Sequence, residues 1–187
     1  MTNFANTPLV ILDLQKAIDH PDWGSRHNPD AEDRVARILA VWRKKGWPVI
    51  HVRHRSSSPG SHYAPNQIGY DFKPEVEPID GEPIVTKSIH SAFIENGLRA
   101  AMTRAGTKSL ILAGVKTNNS IEATVRHGHN LGYDIYLLGD ACFTHDQIDW
   151  NGKTWRAEDV HALTLSNLNG EFCTVTTVDA VLAALPE

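Results

Sequence analysis

At 187 residues the chain fits one domain, residues 1–187, with room for a sizeable core. It is 41% hydrophobic and 21% charged with a formal net charge of −4, a balance that argues against nucleic-acid or anionic-membrane partners, which want a basic surface. Two cysteines, Cys142 and Cys173, are too few for a disulfide framework. With no basic stretch leading into an apolar one at the N-terminus and no apolar run longer than a strand, the chain reads as cytoplasmic, with no membrane span.

Apolar runs alternate with helix-period segments along the chain. Residues 8–12 form a short continuous apolar run, the pattern of a strand buried on both faces. Residues 30–45 predict a helix: Asp30 can cap it, Val35, Ile38, Leu39 and Trp42 make one stripe, and Gly46 then Pro48 end it. A second strand spans 48–52. Residues 55–82 are rich in Ser, Pro, Gly and Asp and follow neither period, as expected of an excursion over a ligand-site mouth. Strands at 84–87, 109–113, 133–138 and 173–176 then alternate with helices at 97–104, 119–131, 157–168 and 178–185. Inward positions on these helices are Leu98, Ala101 and Met102, then Ile121, Val125 and Leu131, then Val160, Leu163 and Leu168.

This alternation predicts an α/β fold of βαβ units, a parallel sheet with helices on both faces. Ligands of such sheets bind beyond the carboxyl ends of the strands. Three positions fall there: Asp13 after the first strand, Lys87 ending the third, and Ser120 in the segment 114–120 after the fourth. Asp13 and Lys87 read equally well as a structural ion pair or as a base beside a cation that keeps it ionised. Ser120 taken alone reads as a polar residue of a first helical turn; its functional reading is a nucleophile at a helix N-terminus.

Together the motifs resemble the isochorismatase-like cysteine hydrolase superfamily, which includes nicotinamidases. They are residues 9–15 around Asp13, Lys87 followed by Ser91-Ala92-Phe93, residues 114–124 around Ser120, and Leu131-Gly132-Tyr133, in matching order from about Pro8 to Thr177. The resemblance implies a three-layer αβα fold with a six-stranded parallel sheet. It also implies an Asp–Lys–Cys triad, an acyl-enzyme, an oxyanion hole from the backbone N–H groups of Lys116 and Ser120, a cis peptide at Val115-Lys116, and a homo-oligomer, dimer or tetramer. The implied activity is hydrolysis of a small amide or related C–N bond.

The pattern breaks at Ser120, where the family has a cysteine. An alcohol is a far weaker acid than a thiol, so a carboxylate is a poorly matched base for it. Four readings stay open: a replaced native cysteine, a natural serine variant, enol-ether hydrolysis by Asp13 without a covalent intermediate, and a ligand-binding homologue that does not turn over. The coherence of Thr117-Asn118-Asn119-Ser120-Ile121 favours the natural variant. Cys142, after the fifth strand, is expected on the active edge, and Cys173 at the far one.

Ten histidines raise the question of metal. The family's metal site would fall at 51–55, but His51-Val52-Arg53-His54-Arg55 lacks the ligand Asp and carries two arginines, so neither metal nor cofactor is expected. His161 is placed to bond a neighbouring strand end. Pocket walls for a small-molecule substrate are expected from Trp23, His54, His90, Phe93, Asn119 and Phe143, with Tyr63 and Tyr70 as further candidates. Trp150 and Trp155 are expected to cover the site or meet a partner subunit.

Overall fold

The structure is a computed structural model and describes residues 4–186. Six strands form one parallel sheet: β1 (Leu9–Leu12), β2 (Val49–His54), β3 (Ile84–Lys87), β4 (Ser109–Val115), β5 (Asp134–Phe143) and, after a short hairpin of β6 (Gln147–Ile148) and β7 (Thr154–Trp155), β8 (Thr174–Thr176). Their order across the sheet is β3-β2-β1-β4-β5-β8. The chain winds outward from β1 to β3, returns to β4 beside β1, and winds out the other way. The topological switch therefore lies between β1 and β4, where Leu12 pairs with Gly114.

The helices are α1 (Ala31–Lys45), α2 (Gly97–Ala105), α3 (Glu122–Asn130), α4 (Ala157–Leu168) and α5 (Val178–Ala183). One apolar cluster joins α1 and α5 to the sheet through Val35, Ile38, Leu39, Trp42, Val178 and Val181. The other joins α2, α3 and the end of α4 through Leu98, Met102, Val125 and Leu168. Three layers result, and β1, with all four residues buried, is covered on both faces. Trp42 carries the largest buried side chain, and its indole N–H donates to Thr7 O at 2.7 Å, so burying it strands no polar group.

Several expectations are corrected. Asp30 makes no side-chain cap; α1 ends as predicted, on left-handed Gly46, whose N–H returns to Arg43 and Trp42. A π-turn over Thr117–Ile121 precedes α3. β5 runs on through Gly139 and Asp140, so Cys142 is a buried strand residue and burial pushes its thiol up to about 12. Leu163 is exposed on α4, where Ala157, Thr164 and Leu168 face inward. Trp150 is exposed, and Trp155 bonds Asp149 at 2.8 Å within the β6–β7 hairpin; neither lines the cavity at the switch point. No helix among the described residues is long and apolar enough to cross a membrane.

Candidate active site

The end of β1 and the end of β4 build the site together. Asp13 turns the chain away from the sheet with φ of +56°, a left-handed conformation that Asp tolerates better than most side chains. Beside it Gly114 has φ of +127°, and a Cβ there would sit 2.0 Å from Leu12 O; no other residue type fits so close to the neighbouring strand. The peptide Val115-Lys116 that follows is cis, as the resemblance implied.

The three side chains from distant strands meet. Lys87 Nζ lies 2.6 Å from Asp13 Oδ2 and donates to Ser120 Oγ at 3.2 Å. All three are buried, Lys87 almost completely. Asp13 Oδ1 is buried too and has no hydrogen-bond partner among the described residues. The turn carrying Ser120 is braced from two sides. Thr117 Oγ1 and His161 Nδ1 are 2.9 Å apart, which ties it to α4, and Thr144 Oγ1 donates to Asn118 Oδ1 from the end of β5. Burial pushes His161 down to about 4, so the ring is neutral.

A cavity of about 170 Å³ opens on these groups. Asp13 and Ser120 line it, and so do Trp23, His54, His90 and Asn119, as expected. Tyr63 joins them from the 55–82 excursion together with Ser61, which sequence reasoning missed along with Ile18 and Val115. Lys116, expected to serve through its backbone, also lines the cavity.

Phe93 and Phe143 do not line the cavity. Phe93 stacks obliquely on Tyr133 with centroids 4.6 Å apart and fills the space left by Gly128 of α3. Phe143 points into the α1-side core and carries the Arg26 guanidinium 3.4 Å above its ring. Tyr70 sits under Arg53 at 4.7 Å, outside the lining.

One buried residue fixes the cavity's back wall. Gln15 donates from Nε2 to His54 O at 3.0 Å and Tyr70 O at 2.9 Å, while its Oε1 accepts from His54 N at 2.7 Å. This amide locks the end of β2 to the 55–82 excursion. His54 Nδ1 is buried without a partner among the described residues, and burial together with the Lys87 charge lowers its basicity. Burial, reinforced by Asp13, likewise keeps the Tyr63 phenol protonated.

The 51–55 tract does not converge on a metal. His51 Nε2 meets Glu82 Oε2 at 2.7 Å on the α1 side, Arg53 donates to Thr86 Oγ1, and His54 alone faces the cavity. Among the described residues the grouping whose ligand atoms lie close together is His20, Asp22 and His62, outside the cavity. There the two imidazoles stack 3.4 Å apart and Asp22 bonds both, pinning the excursion to the 20–23 turn.

The comparisons agree with this architecture. The isochorismatase domain matches residues 7–180. An uncharacterized isochorismatase family protein of Bacillus subtilis, YrdC, is 36% identical over 174 residues, 93% of each chain. A streptothricin hydrolase of Streptomyces noursei is 32% identical over 141 residues, 74% of this chain and 50% of that one. A crystal structure of an isochorismatase-family protein from Chromobacterium violaceum superposes with a TM-score of 0.92 at 48% identity, over 95% of this chain and 92% of that chain. The sheet order, the switch-point cavity and these matches together place the chain in the isochorismatase family of hydrolases.

Proposed function

We propose that the chain hydrolyses the C–N bond of a small amide or related compound, with Asp13, Lys87 and Ser120 as the catalytic group. The carrying observation is buried Lys87 Nζ held between Asp13 Oδ2 and Ser120 Oγ, two residues that line the cavity. Ser120 stands where the family's nucleophilic cysteine would. Its Oγ attacks the carbonyl carbon and its proton passes to Asp13. The neighbouring ammonium stabilises the negative charge that develops on Oγ. The carbonyl oxygen, now anionic, is met by the N–H groups of Lys116 and Ser120. Collapse breaks the C–N bond, the nitrogen leaves with the proton held by Asp13, and an acyl group remains on Ser120. Water then attacks the ester, Asp13 takes its proton, and Oγ departs reprotonated. Because an alcohol is the harder group to ionise, acylation is the slow step.

Intact-protein mass spectrometry during turnover of a panel of small amides tests this. An added acyl mass mapping to Ser120 is expected, and full activity in Ser120→Ala would overturn the covalent route. One observation favours a second reading. Asp13 lines the cavity and its Oδ1 has no hydrogen-bond partner among the described residues, so it can act directly on a substrate proton, as in enol-ether hydrolysis without a covalent intermediate. Turnover of enol ethers by Ser120→Ala would select that reading.

A further inference from the structure

Cations near the cavity differ in one respect: whether their charge is already matched. Lys87 is matched by Asp13 at 2.6 Å. Arg26 is matched by Glu32 at 2.7 Å. Arg53, outside the lining, is spread over Thr86 and the Tyr70 ring. Lys116 lines the cavity, is half-buried, and has no carboxylate partner among the described residues. Its ammonium rests 4.6 Å from the centroid of Trp23, another lining residue.

The neighbouring groups do not supply the missing charge. Trp23 is neutral, with its own N–H donating to Ala17 O at 2.8 Å. His145 packs 6.2 Å from the Trp23 ring, and burial together with the Lys116 charge holds it down to about 4, so it is uncharged too. Burial alone pushes the Lys116 ammonium below its usual range, with nothing opposing. Asp13, the carboxylate that lines the same cavity, is paired with Lys87, so a half-desolvated ammonium over an aromatic face is left as an attractor for an anion.

We propose that the cavity selects substrates bearing an anionic group, foremost a carboxylate, which pairs with Lys116 Nζ beside Trp23 while the reacting group lies at Asp13 and Ser120. The inference rests on the proposed hydrolysis only for what happens at the Ser120 end. Lys116 is thereby a specificity determinant, and the substrate class narrows to small amides carrying a second, ionised end.

A matched pair of ligands tests it: succinamate, which carries a carboxylate, and butyramide, which is neutral and similar in size. Binding is measured by calorimetry on the Ser120→Ala protein, so no turnover is needed. Succinamate is expected to bind at least tenfold more tightly than butyramide. The ratio should collapse toward one when Lys116→Met is added, and persist with Lys116→Arg. A ratio near one in the Ser120→Ala protein, or a ratio that survives Lys116→Met, overturns the proposal. The first of these needs no Lys116 variant to fold. The two readings separate cleanly. Binding preference without ammonia release from either compound by the parent protein would remove the hydrolytic reading and keep the anion subsite. Hydrolysis of both amides with no preference would do the reverse.

Discussion

Two buried ion clusters stand a few turns of chain apart, and they are built on opposite principles. In the first, Glu32 at the start of α1 accepts from Arg26 Nη1 and Nη2 at 2.7 Å each and from Lys73 Nζ at 2.6 Å; both its oxygens are engaged, and its backbone is ordinary helix. In the second, Asp13 has one oxygen held by Lys87 and the other with no partner among the described residues, and its backbone is left-handed. A fully satisfied buried carboxylate is a staple. It fastens the excursion through Lys73 and the 20–30 segment through Arg26 onto α1. A buried carboxylate left with acceptor capacity beside a cavity, in a sparsely populated conformation, is arranged for a reaction. Burial and charge alone would have ranked the two alike; hydrogen-bond completeness separates them.

The largest expected effect tests that separation directly. Asp13→Asn keeps a side chain that tolerates a left-handed φ, so the turn survives while the proposed base is lost. Turnover should fall about 10²- to 10⁴-fold. Glu32→Gln should instead leave the folded protein's turnover number near that of the parent. Steady-state release of ammonia from amide substrates measures both. Activity surviving Asp13→Asn, or vanishing with Glu32→Gln in a protein that remains folded, would erase the distinction between staple and reactive centre.

Gln15 connects the two regions and gives the next effect. Gln15→Leu fills the same space but leaves His54 N–H, His54 C=O and Tyr70 C=O without their partners. Each buried unsatisfied group costs roughly 1–3 kcal/mol, partly offset by the added apolar packing, so a net loss of about 3 kcal/mol is expected in urea unfolding. Because His54 lines the cavity, KM should rise as well. Destabilisation without any change in KM would show that the amide serves the staple alone.

The sequence made the proposed reactive cluster legible and hid the staple. Asp13 and Lys87 each close a short, mostly apolar strand, and topology then forces both to one sheet edge. Arg26, Glu32 and Lys73 sit in polar surroundings that read as a solvated face, and nothing in their spacing brings them together. The errors have similar physical sources. The fifth strand was expected to stop at residue 138, but it runs on through Asp140 to Phe143. The Asp140 carboxylate accepts from Val178 N and Arg34, and its carbonyl accepts from Asn28, so β5 continues through it. Phe93 and Phe143 were expected in the cavity wall, but Phe93, in the turn before α2, packs on Gly128 of α3 and Phe143 packs under Arg26, partners remote in sequence. Lys116 was expected for its backbone, and the direction of its side chain became visible only with Trp23 in place.

The smallest effect is one of stability and has a distinctive pH signature. Burial alone would raise the Glu32 carboxyl, but its bonds to Arg26 and Lys73 outweigh this and hold it at about 2, against an ordinary value of 4.5. A depressed folded-state value means that ionised Glu32 stabilises the native protein. That contribution is complete above pH 4.5 and is lost as pH falls toward 2. At ~1.4 kcal/mol per unit the shift bounds the contribution near 3 kcal/mol. Lys73 retains Asp19 at 2.8 Å when Glu32 is neutral, which lowers the expected cost of Glu32→Gln to about 2 kcal/mol at neutral pH. Parent and variant should therefore differ in urea midpoint at neutral pH, with the gap narrowing as pH falls from about 4.5 toward 2. If the gap stays constant across that range, the amide substitution is being felt through packing, and the ion pairs at Glu32 are not what hold the excursion to α1.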